Sequence, residues 1–213
     1  MTPLETKRIT DKIYAINDSM VNVYLIKSED GYIMIDAGNN IDVIKKELSV
    51  LNIDERDVIA IFLTHSDYDH VTSIPLFENA KVYLSKQEEQ MINGDRSRFI
   101  FQENKIDCDN YILFDDNQTI SFSEVSVLSL LSPDHTPGTT CYLINDRYLF
   151  TGDALSLVDG KVNKFMKLAT MDQETHKESI NKLSALENIE YIFTAHHGVS
   201  DNFGLAFSEW SDK

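Results

Sequence analysis

The chain has 213 residues, of which 42% are hydrophobic and 25% are charged, with a formal net charge of −16. This composition is that of an ordinary globular protein with one sizeable core, so we expect a single domain over residues 1–213. Such an acidic surface repels phosphate backbones, which argues against a nucleic-acid partner. No apolar run approaches the roughly 20 residues of a membrane span, and the polar start from Met1 to Asp11 is unlike a signal peptide. We therefore expect a cytoplasmic protein with no membrane partner; its oligomeric state is left open.

Short apolar runs bounded by turn residues predict nine strands. In chain order these are Lys12–Ile16, Val21–Lys27, Tyr32–Ile35, Val58–Leu63, Lys81–Leu84, Val125–Leu131, Cys141–Ile144, Arg147–Phe150 and Glu190–Phe193. Apolar residues at helical spacing predict three helices between the strands, namely Ile41–Leu51, Ser85–Ile92 and Asp172–Leu186, the last opening with Asp172 as a capping residue. The interleaving of strands and helices indicates a mixed α/β fold.

Two hairpin-like segments are similar in sequence. Tyr24-Leu-Ile26 and Tyr142-Leu-Ile144 each precede a turn and a second strand, which ends near a glycine at Asp36 in the first case and at Asp153 in the second. The repetition is a modest indication that the architecture has two related halves.

The two cysteines, Cys108 and Cys141, are too few for a disulfide framework and form no Cys-x-x-Cys pair. Cys141 lies in an apolar run, where we expect it to be buried. Cys108 lies between two aspartates, whose negative charge disfavours a reactive thiolate. We expect neither cysteine to be catalytic.

The strongest chemical signal follows the apolar run Ile61–Leu63. Two histidines and two aspartates occur there within six residues, namely His65, Asp67, Asp69 and His70. In an extended segment, side chains two residues apart point to the same side, so the first three can converge and the fourth joins them where the chain turns. Imidazole and carboxylate groups are ligands of zinc, iron and manganese. Taken alone, the segment is also compatible with a solvated turn that caps the next helix.

Three later segments also place a candidate ligand after a strand. His135 lies in a turn rich in proline and glycine, and Asp153 follows a glycine at the end of a strand. His196 and His197 follow the last apolar strand. Each is weak evidence alone, but together they repeat one design, and open α/β folds collect their sites at the carboxyl ends of strands.

In order and spacing, these segments resemble the metallo-β-lactamase superfamily. Its hallmark is a His-x-His-x-Asp-His segment followed by a distant His, a bridging Asp and a final His. The resemblance extends to Asn22–Ile26, Ile35–Gly38, His135–Gly138 and Thr151–Asp153. It implies an α/β fold of four layers, an αβ/βα sandwich, with the site at one edge between the sheets.

The resemblance also implies a ligand set for two divalent metal ions, with three ligands for each ion and one that bridges them. These are His65, Asp67 and His135 for the first ion, Asp69, His70 and His196 for the second, and Asp153 as the bridge. His197 is the alternative last ligand. We expect Asp69 also to orient the nucleophile, and we expect His176, which lies among polar neighbours in a predicted helix, at the surface.

The sequence departs from the family pattern at position 67, where Asp replaces the usual His. Zinc remains the expected metal, but an oxygen donor shifts preference towards iron or manganese. Flavodiiron proteins resemble this chain in carrying a carboxylate at the equivalent position. A mononuclear site is the other alternative, because the shorter side chain would weaken the first metal position.

These features predict a hydrolase of a small ester, thioester, lactone or similar acyl compound, with a small molecule as its partner. A di-iron redox protein and a metal-binding protein without activity are the alternatives. The chain is too short for the appended helical domain with which glyoxalase II enzymes bind their substrate, so that assignment is disfavoured. The segments Ser156–Thr170 and Asn93–Asn110 are candidates for the substrate lip, and His197 for the acid that protonates the leaving group.

Overall fold

The computed structural model describes residues 1–97, 104–163 and 171–210, apart from the side chains of residues 173 and 174. The strands in these ranges are β1 (Lys7–Arg8), β2 (Ile13–Asp18), β3 (Val21–Ser28), β4 (Gly31–Ile35), β5 (Val58–Phe62), β6 (Lys81–Ser85), β7 (Tyr111–Phe114), β8 (Thr119–Phe122), β9 (Val125–Leu131), β10 (Thr140–Ile144), β11 (Tyr148–Phe150), β12 (Ser156–Val158), β13 (Lys161–Asn163), β14 (Tyr191–Phe193) and β15 (Val199–Ser200). The α-helices are α1 (Ile41–Val50), α2 (Tyr68–Val71), α3 (Glu89–Ile92), α4 (Gln173–Ser184) and α5 (Phe203–Phe207).

Two large sheets form the centre of the fold. The first contains β1 to β7 in sequence order, antiparallel from β1 to β4 and parallel from β4 to β7. The second has the order β15-β14-β11-β10-β9-β8, in which only the pair of β11 with β14 is parallel. Strands β12 and β13 form a separate hairpin. Both sheets are therefore mixed, and each contains neighbouring parallel strands whose carboxyl ends point the same way.

Three hydrophobic cores define the layers. The first lies between the sheets, where aromatic rings from both meet: Phe62 of β5 contacts Tyr142 of β10 with ring centroids 5.3 Å apart. The second packs α1 against the outer face of the first sheet through Ile44 and Leu48. The third packs α4 and α5 against the outer face of the second sheet. Helix, sheet, sheet and helix therefore follow one another, which confirms the predicted αβ/βα sandwich.

Most predicted elements are confirmed to within two residues, including all nine strands. Helix α4 begins as predicted, since Asp172 Oδ1 accepts a hydrogen bond from the Thr175 amide at 3.1 Å. The predicted helix Ser85–Ile92 is wrong in its first half, because Ser85 ends β6 and only Glu89–Ile92 is helical. The intervening turn is held by Ser85 Oγ, which accepts a hydrogen bond from the Glu88 amide and donates one to a backbone carbonyl.

The expected burial of Cys141 is confirmed. Cys141 is buried in the core of the second sheet, and burial raises the pKa of its thiol to about 12. Burial and the flanking charges of Asp107 and Asp109 raise the pKa of the Cys108 thiol as well. Neither thiol is therefore poised to ionise at neutral pH.

Within the described ranges, none of the helices combines the length and the apolar surface that crossing a bilayer requires.

Candidate metal centre

The segment from His65 to His70 follows β5 at the edge of the first sheet. Asp67 has extended backbone angles, and the short helix α2 begins directly after it, so the chain turns at this point. The side chains of His65 and His70 are fully buried, and their ring centroids are 4.0 Å apart. Those of Asp67 and Asp69 are 15% and 13% exposed. Two buried imidazoles and two partly exposed carboxylates therefore face the same space.

The second sheet supplies three buried donors to the same space. His135 follows β9, Asp153 follows β11 and His196 follows β14. Asp153 lies between the two histidines, with Oδ1 3.2 Å from His196 Nε2 and Oδ2 3.4 Å from His135 Nε2. Its two carboxylate oxygens therefore face in the two directions that a bridging ligand requires.

All seven residues singled out in the sequence are brought together, in overlapping groups. Within each group, one donor atom per residue lies within 4.8 Å of the others. The groups are His65, Asp67 and His135; Asp69, His70 and His196; and His65, His70 and Asp153. In the parts of the chain that the structure describes, His197 contributes to none of them. Among the two adjacent histidines, the geometry therefore favours His196 as the donor.

The centre contains buried polar atoms that the described protein does not satisfy. Within the described ranges, His65 Nε2, His70 Nε2 and Asp153 Oδ1 make no hydrogen bond of normal geometry, although Asp153 Oδ1 lies 3.2 Å from His196 Nε2. The three atoms belong to the group within 4.8 Å. A buried polar atom without a partner costs about 1–3 kcal/mol, so three at one point call for an explanation. Imidazole nitrogens and carboxylate oxygens are common ligands of divalent metal ions. The donor set therefore fits a divalent metal.

In three of the four candidate histidine ligands, the other ring nitrogen is held by a neighbouring group. His70 Nδ1 lies 2.9 Å from Asp36 Oδ2, and His196 Nδ1 donates to the Met20 carbonyl at 2.6 Å. His65 Nδ1 lies 3.0 Å from Thr64 Oγ1. Such contacts fix the ring orientation and leave Nε2 directed at the centre, as in metal sites where a histidine also contacts a carboxylate or carbonyl.

The electrostatics of the centre favour a cation. Burial disfavours the imidazolium of His70, but Asp36 and Asp69 outweigh it and raise the pKa of that ring to about 10. Burial, together with the neighbouring His70, lowers the pKa of His65 to about 4. Burial opposes ionisation of Asp153, but the surrounding imidazoles hold the pKa of its carboxyl well below the usual range. The carboxylate of Asp153 therefore remains charged and attracts positive charge.

Glu88, which no sequence pattern singles out, is a fully buried carboxylate. Its Oε1 accepts hydrogen bonds from the amide and the hydroxyl of Ser66, at 2.9 and 2.6 Å. Its Oε2 accepts hydrogen bonds from the Thr136 hydroxyl at 2.6 Å and the Gly138 amide at 3.1 Å. Glu88 therefore ties the segment of His65 to the segment of His135. Its sequence context resembles that of a polar residue on a helix surface, so no signal pointed to it.

Gly138 allows this contact because it has no side chain. A Cβ atom at this position would lie 2.1 Å from the Glu88 amide nitrogen and 2.3 Å from its Cα atom. Distances this short are excluded by van der Waals repulsion. Glycine is therefore required here for the close approach of two backbone segments.

The expectation that His176 lies at the surface is wrong. His176 is fully buried, and its Nε2 lies 3.0 Å from the Ala154 carbonyl and 3.5 Å from Asp134 Oδ2. It shares the buried face of α4 with Ile180 and Leu183, which follow it at helical spacing. The polar residues around it obscured this face in the sequence. His176 thus contacts the neighbours of two candidate ligands.

The two candidate substrate segments are described only in part. Residues 98–103 of the segment Asn93–Asn110 and residues 164–170 of the segment Ser156–Thr170 lie outside the described residues. Lys161 forms an ion pair with Glu209, and Arg96 is exposed.

The family model of the metallo-beta-lactamase superfamily matches residues 16–196. The chain therefore belongs to this superfamily and has its fold.

Two curated relatives and one solved structure illustrate the similarity. A probable polyketide biosynthesis zinc-dependent hydrolase of Bacillus subtilis (strain 168) is 39% identical over 126 residues, 58% of this chain and 49% of that protein. A hydroxyacylglutathione hydrolase of Actinobacillus pleuropneumoniae serotype 5b (strain L20) is 25% identical over 194 residues, 91% of this chain and 72% of that protein. A metallo-beta-lactamase family protein from Thermus thermophilus is 18% identical with a TM-score of 0.72, over 94% of this chain and 78% of that chain. The match with the first of these relatives spans about half of that protein's length.

Proposed function

We propose that this chain binds two divalent metal ions, zinc in the first instance, and hydrolyses a small ester, thioester, lactone or similar acyl compound. The observation that supports this most directly is the position of Asp153 between two groups of donors, with one carboxylate oxygen towards each. The groups are His65, Asp67 and His135 on one side and Asp69, His70 and His196 on the other.

Divalent cations held there would supply Lewis acidity, which polarises a carbonyl group and makes water a stronger acid. The chain's own residues fix where this chemistry occurs. The imidazoles and Asp153 are buried, whereas the carboxylates of Asp67 and Asp69 are partly exposed and are therefore the groups of the centre that solvent can reach. Asp69 Oδ2, which is 3.4 Å from His196 Nε2, is placed to accept a proton from an attacking water and so to orient it.

Two observations support an acyl substrate. The relatives are named as hydrolases, one of them of a hydroxyacyl derivative of glutathione. Tyr68, between two of the candidate ligands, and Met20, whose carbonyl contacts His196, are large apolar side chains with 59% and 44% exposure. Because these two residues adjoin candidate ligands, we propose that their exposed side chains contact the non-reacting part of a small substrate.

A di-iron redox protein is the second candidate, and it is favoured by one observation. Asp67 Oδ2 lies 3.1 Å from His135 Nε2, so the first group contains an oxygen donor where a nitrogen is usual in the family. Iron bound at the centre, together with oxygen consumption that depends on a reductant, would support this function. The relatives named as zinc-dependent favour hydrolysis.

The test is hydrolysis of a panel of esters, thioesters and lactones by the wild type, Asp153→Asn and Asp42→Asn. Asp153→Asn retains the shape of the side chain but removes its charge, so kcat/KM should fall by about 10³-fold or more if the metals supply the activation of water. Asp42, an exposed residue of α1, is the matched control and should leave kcat/KM unchanged. Equal activity in all three proteins, or no turnover of any substrate by the zinc-loaded wild type, would contradict the proposal.

A further inference from the structure

The carboxylate of Asp67 has its two oxygens in different environments. Oδ1 lies 2.9 Å from Asn104 Nδ2, an amide that is only 9% exposed. Oδ2 faces the centre, 3.1 Å from His135 Nε2 and 3.6 Å from His65 Nε2. One oxygen is therefore engaged by the protein, and the other lies among the donors of the first group.

The orientation of the Asn104 amide follows from its second contact. Nδ2 also lies 2.9 Å from Ser66 Oγ, whose own hydrogen is donated to Glu88 Oε1 at 2.6 Å. Ser66 Oγ and the Asp67 carboxylate are therefore both acceptors towards Asn104, and an NH₂ group has two hydrogens to donate. The buried Glu88 thus fixes which side of the amide faces Asp67.

We propose that Asn104 is a positioning residue that makes Asp67 a metal ligand through Oδ2 alone. The proposal rests on the two-metal centre of the proposed function. A carboxylate can bind a cation through one or both oxygens, and it can rotate between these modes. The imidazole that is usual at this position offers a single donor atom. Because Asn104 holds Oδ1, only Oδ2 of Asp67 remains to bind the metal, and the orientation of the carboxylate is fixed.

This role predicts which metal position depends on Asn104. The group of His65, Asp67 and His135 should lose affinity when the amide is removed, because neighbours of metal ligands contribute about 10–100-fold to metal affinity. Asp67 is not a member of the group of Asp69, His70 and His196. This second metal position should therefore retain its affinity when the Asn104 amide is removed.

The experiment is a double-mutant cycle on zinc affinity, measured by competition between the apo-protein and a chromogenic chelator. The proteins are the wild type, Asn104→Ala, Asp67→His and the double variant. In the Asp67 background, Asn104→Ala should weaken one zinc equivalent by about 10–100-fold and leave the other within about 2-fold. In the Asp67→His background, the same substitution should change neither affinity by more than about 2-fold.

Two further variants separate this role from a general effect on folding. Asn181→Ala is the matched control. Asn181 lies on α4, and its Oδ1 accepts a hydrogen bond from Trp210 Nε1 at 2.8 Å. Removal of this hydrogen bond should leave both zinc affinities unchanged. Asn104→Asp keeps the shape of the side chain but replaces the donor by a second acceptor. It should weaken the first zinc position at least as much as Asn104→Ala, with the circular dichroism spectrum unchanged.

A zinc-minus-apo infrared difference spectrum gives a readout of the binding mode itself. The separation between the symmetric and antisymmetric carboxylate stretches is wider for binding through one oxygen than through two. It should narrow for one carboxylate in Asn104→Ala, because Asp67 is then free to bind through both oxygens.

The outcomes distinguish this inference from the proposed function. If the wild type binds two zinc ions and Asn104→Ala binds them equally well, the role of Asn104 is overturned and the metal centre stands. Equal losses in the Asp67 and Asp67→His backgrounds would show a structural role and also overturn it. A wild type that binds no zinc would overturn the metal centre and, with it, this inference.

Discussion

The buried histidines of the centre depend on second contacts for their orientation. His70 is the clearest case, because its Nδ1 lies 2.9 Å from Asp36 Oδ2, while its Nε2 has no partner among the described residues. Asp36 in turn accepts hydrogen bonds from the amide and the hydroxyl of Thr64, at 2.7 and 2.9 Å. Thr64, the residue before His65, therefore holds the Asp36 carboxylate in place. Asp36 thus links the backbone position of His65 to the ring orientation of His70.

Replacement of Asp36 by Asn should weaken the second metal position. The substitution removes the charge that stabilises His70 as a ligand, so zinc affinity there should fall by about 10–100-fold. Chelator competition measures this, with the exposed Asp30→Asn as the control. Unchanged affinity for both zinc ions in Asp36→Asn would show that the contact does not support the ligand.

At the residue scale, the sequence identifies donors better than the groups that support them. The seven donors follow strands in a spacing that chemistry and family resemblance both recognise. Asn104 and Glu88 lie in segments without such a pattern, and their importance arises only from burial and from contacts across the fold. The surface position predicted for His176 is wrong for the same reason. Its sequence neighbours in the helix are mostly polar, so the pattern does not show that this one histidine faces the core.

The elements position the centre through strand ends and through contacts between the sheets. Tyr24 of β3 donates to the Thr194 carbonyl at 2.7 Å, just before His196. Tyr142 of β10 donates to the Leu63 carbonyl at 2.5 Å, just before His65. Each sheet thus holds the strand end that presents a histidine from the other sheet. The two tyrosines begin the similar segments noted in the sequence, which gives that repetition a structural meaning.

Glu88 joins two ligand segments, so its replacement by Gln should destabilise the fold. The NH₂ group of Gln would replace one of the two carboxylate oxygens, so either the Ser66 donors or the donors of Thr136 and Gly138 would lose their acceptor. The free energy of unfolding should therefore fall by about 2–4 kcal/mol. Urea unfolding of the apo-protein measures the loss.

The exposed Glu78→Gln is the matched control and should change the unfolding free energy by no more than about 0.5 kcal/mol. A loss of similar size in both variants, or none in Glu88→Gln, would contradict the role of Glu88 as the link between the segments.

Most strands could be predicted because buried β-strands are continuous apolar runs. The strands that were missed, such as β8 and β15, are short edge strands with mostly exposed or half-buried side chains. The helix predicted over Ser85–Ile92 was too long because its apolar spacing continued across a turn. That turn is set by hydrogen bonds of Ser85 to the backbone of Glu88 and Gly138, which no local pattern reveals.

At the scale of the whole molecule, the centre connects the two sheets. His65, Asp67, Asp69 and His70 come from the edge of the first sheet, and His135, Asp153 and His196 come from the edge of the second. A cation bound by both sets would hold the halves together, in addition to the core between the sheets. Metal binding should therefore contribute to the stability of the entire fold.

Removal of the metal should lower the melting temperature. A ligand present at 1,000 times its Kd stabilises the folded state by about 4 kcal/mol, which corresponds to roughly 10 °C for a chain of this size. Calorimetry of the zinc-loaded and chelator-treated protein measures the difference, and zinc should restore the original value. Asp153→Asn should respond much less to zinc, and an equal response in this variant would contradict the bridging position of Asp153.

The fold could be predicted as a whole because ordered motifs along most of the chain resemble one superfamily. The substrate could not, since it depends on side chains around the entrance that carry no recognisable pattern. The acidic charge of the chain is equally uninformative about the metal, because the centre accounts for few of the 35 acidic residues.

The metal content of the purified protein tests the central claim most directly. Protein prepared without added metal or chelator should contain about two divalent ions per chain by elemental mass spectrometry, the number that a binuclear centre binds. Zinc would agree with the proposed hydrolase, and iron would favour the redox alternative. One ion or none in the wild type, rising to two in Asp67→His, would contradict the claim that Asp67 completes a two-metal centre.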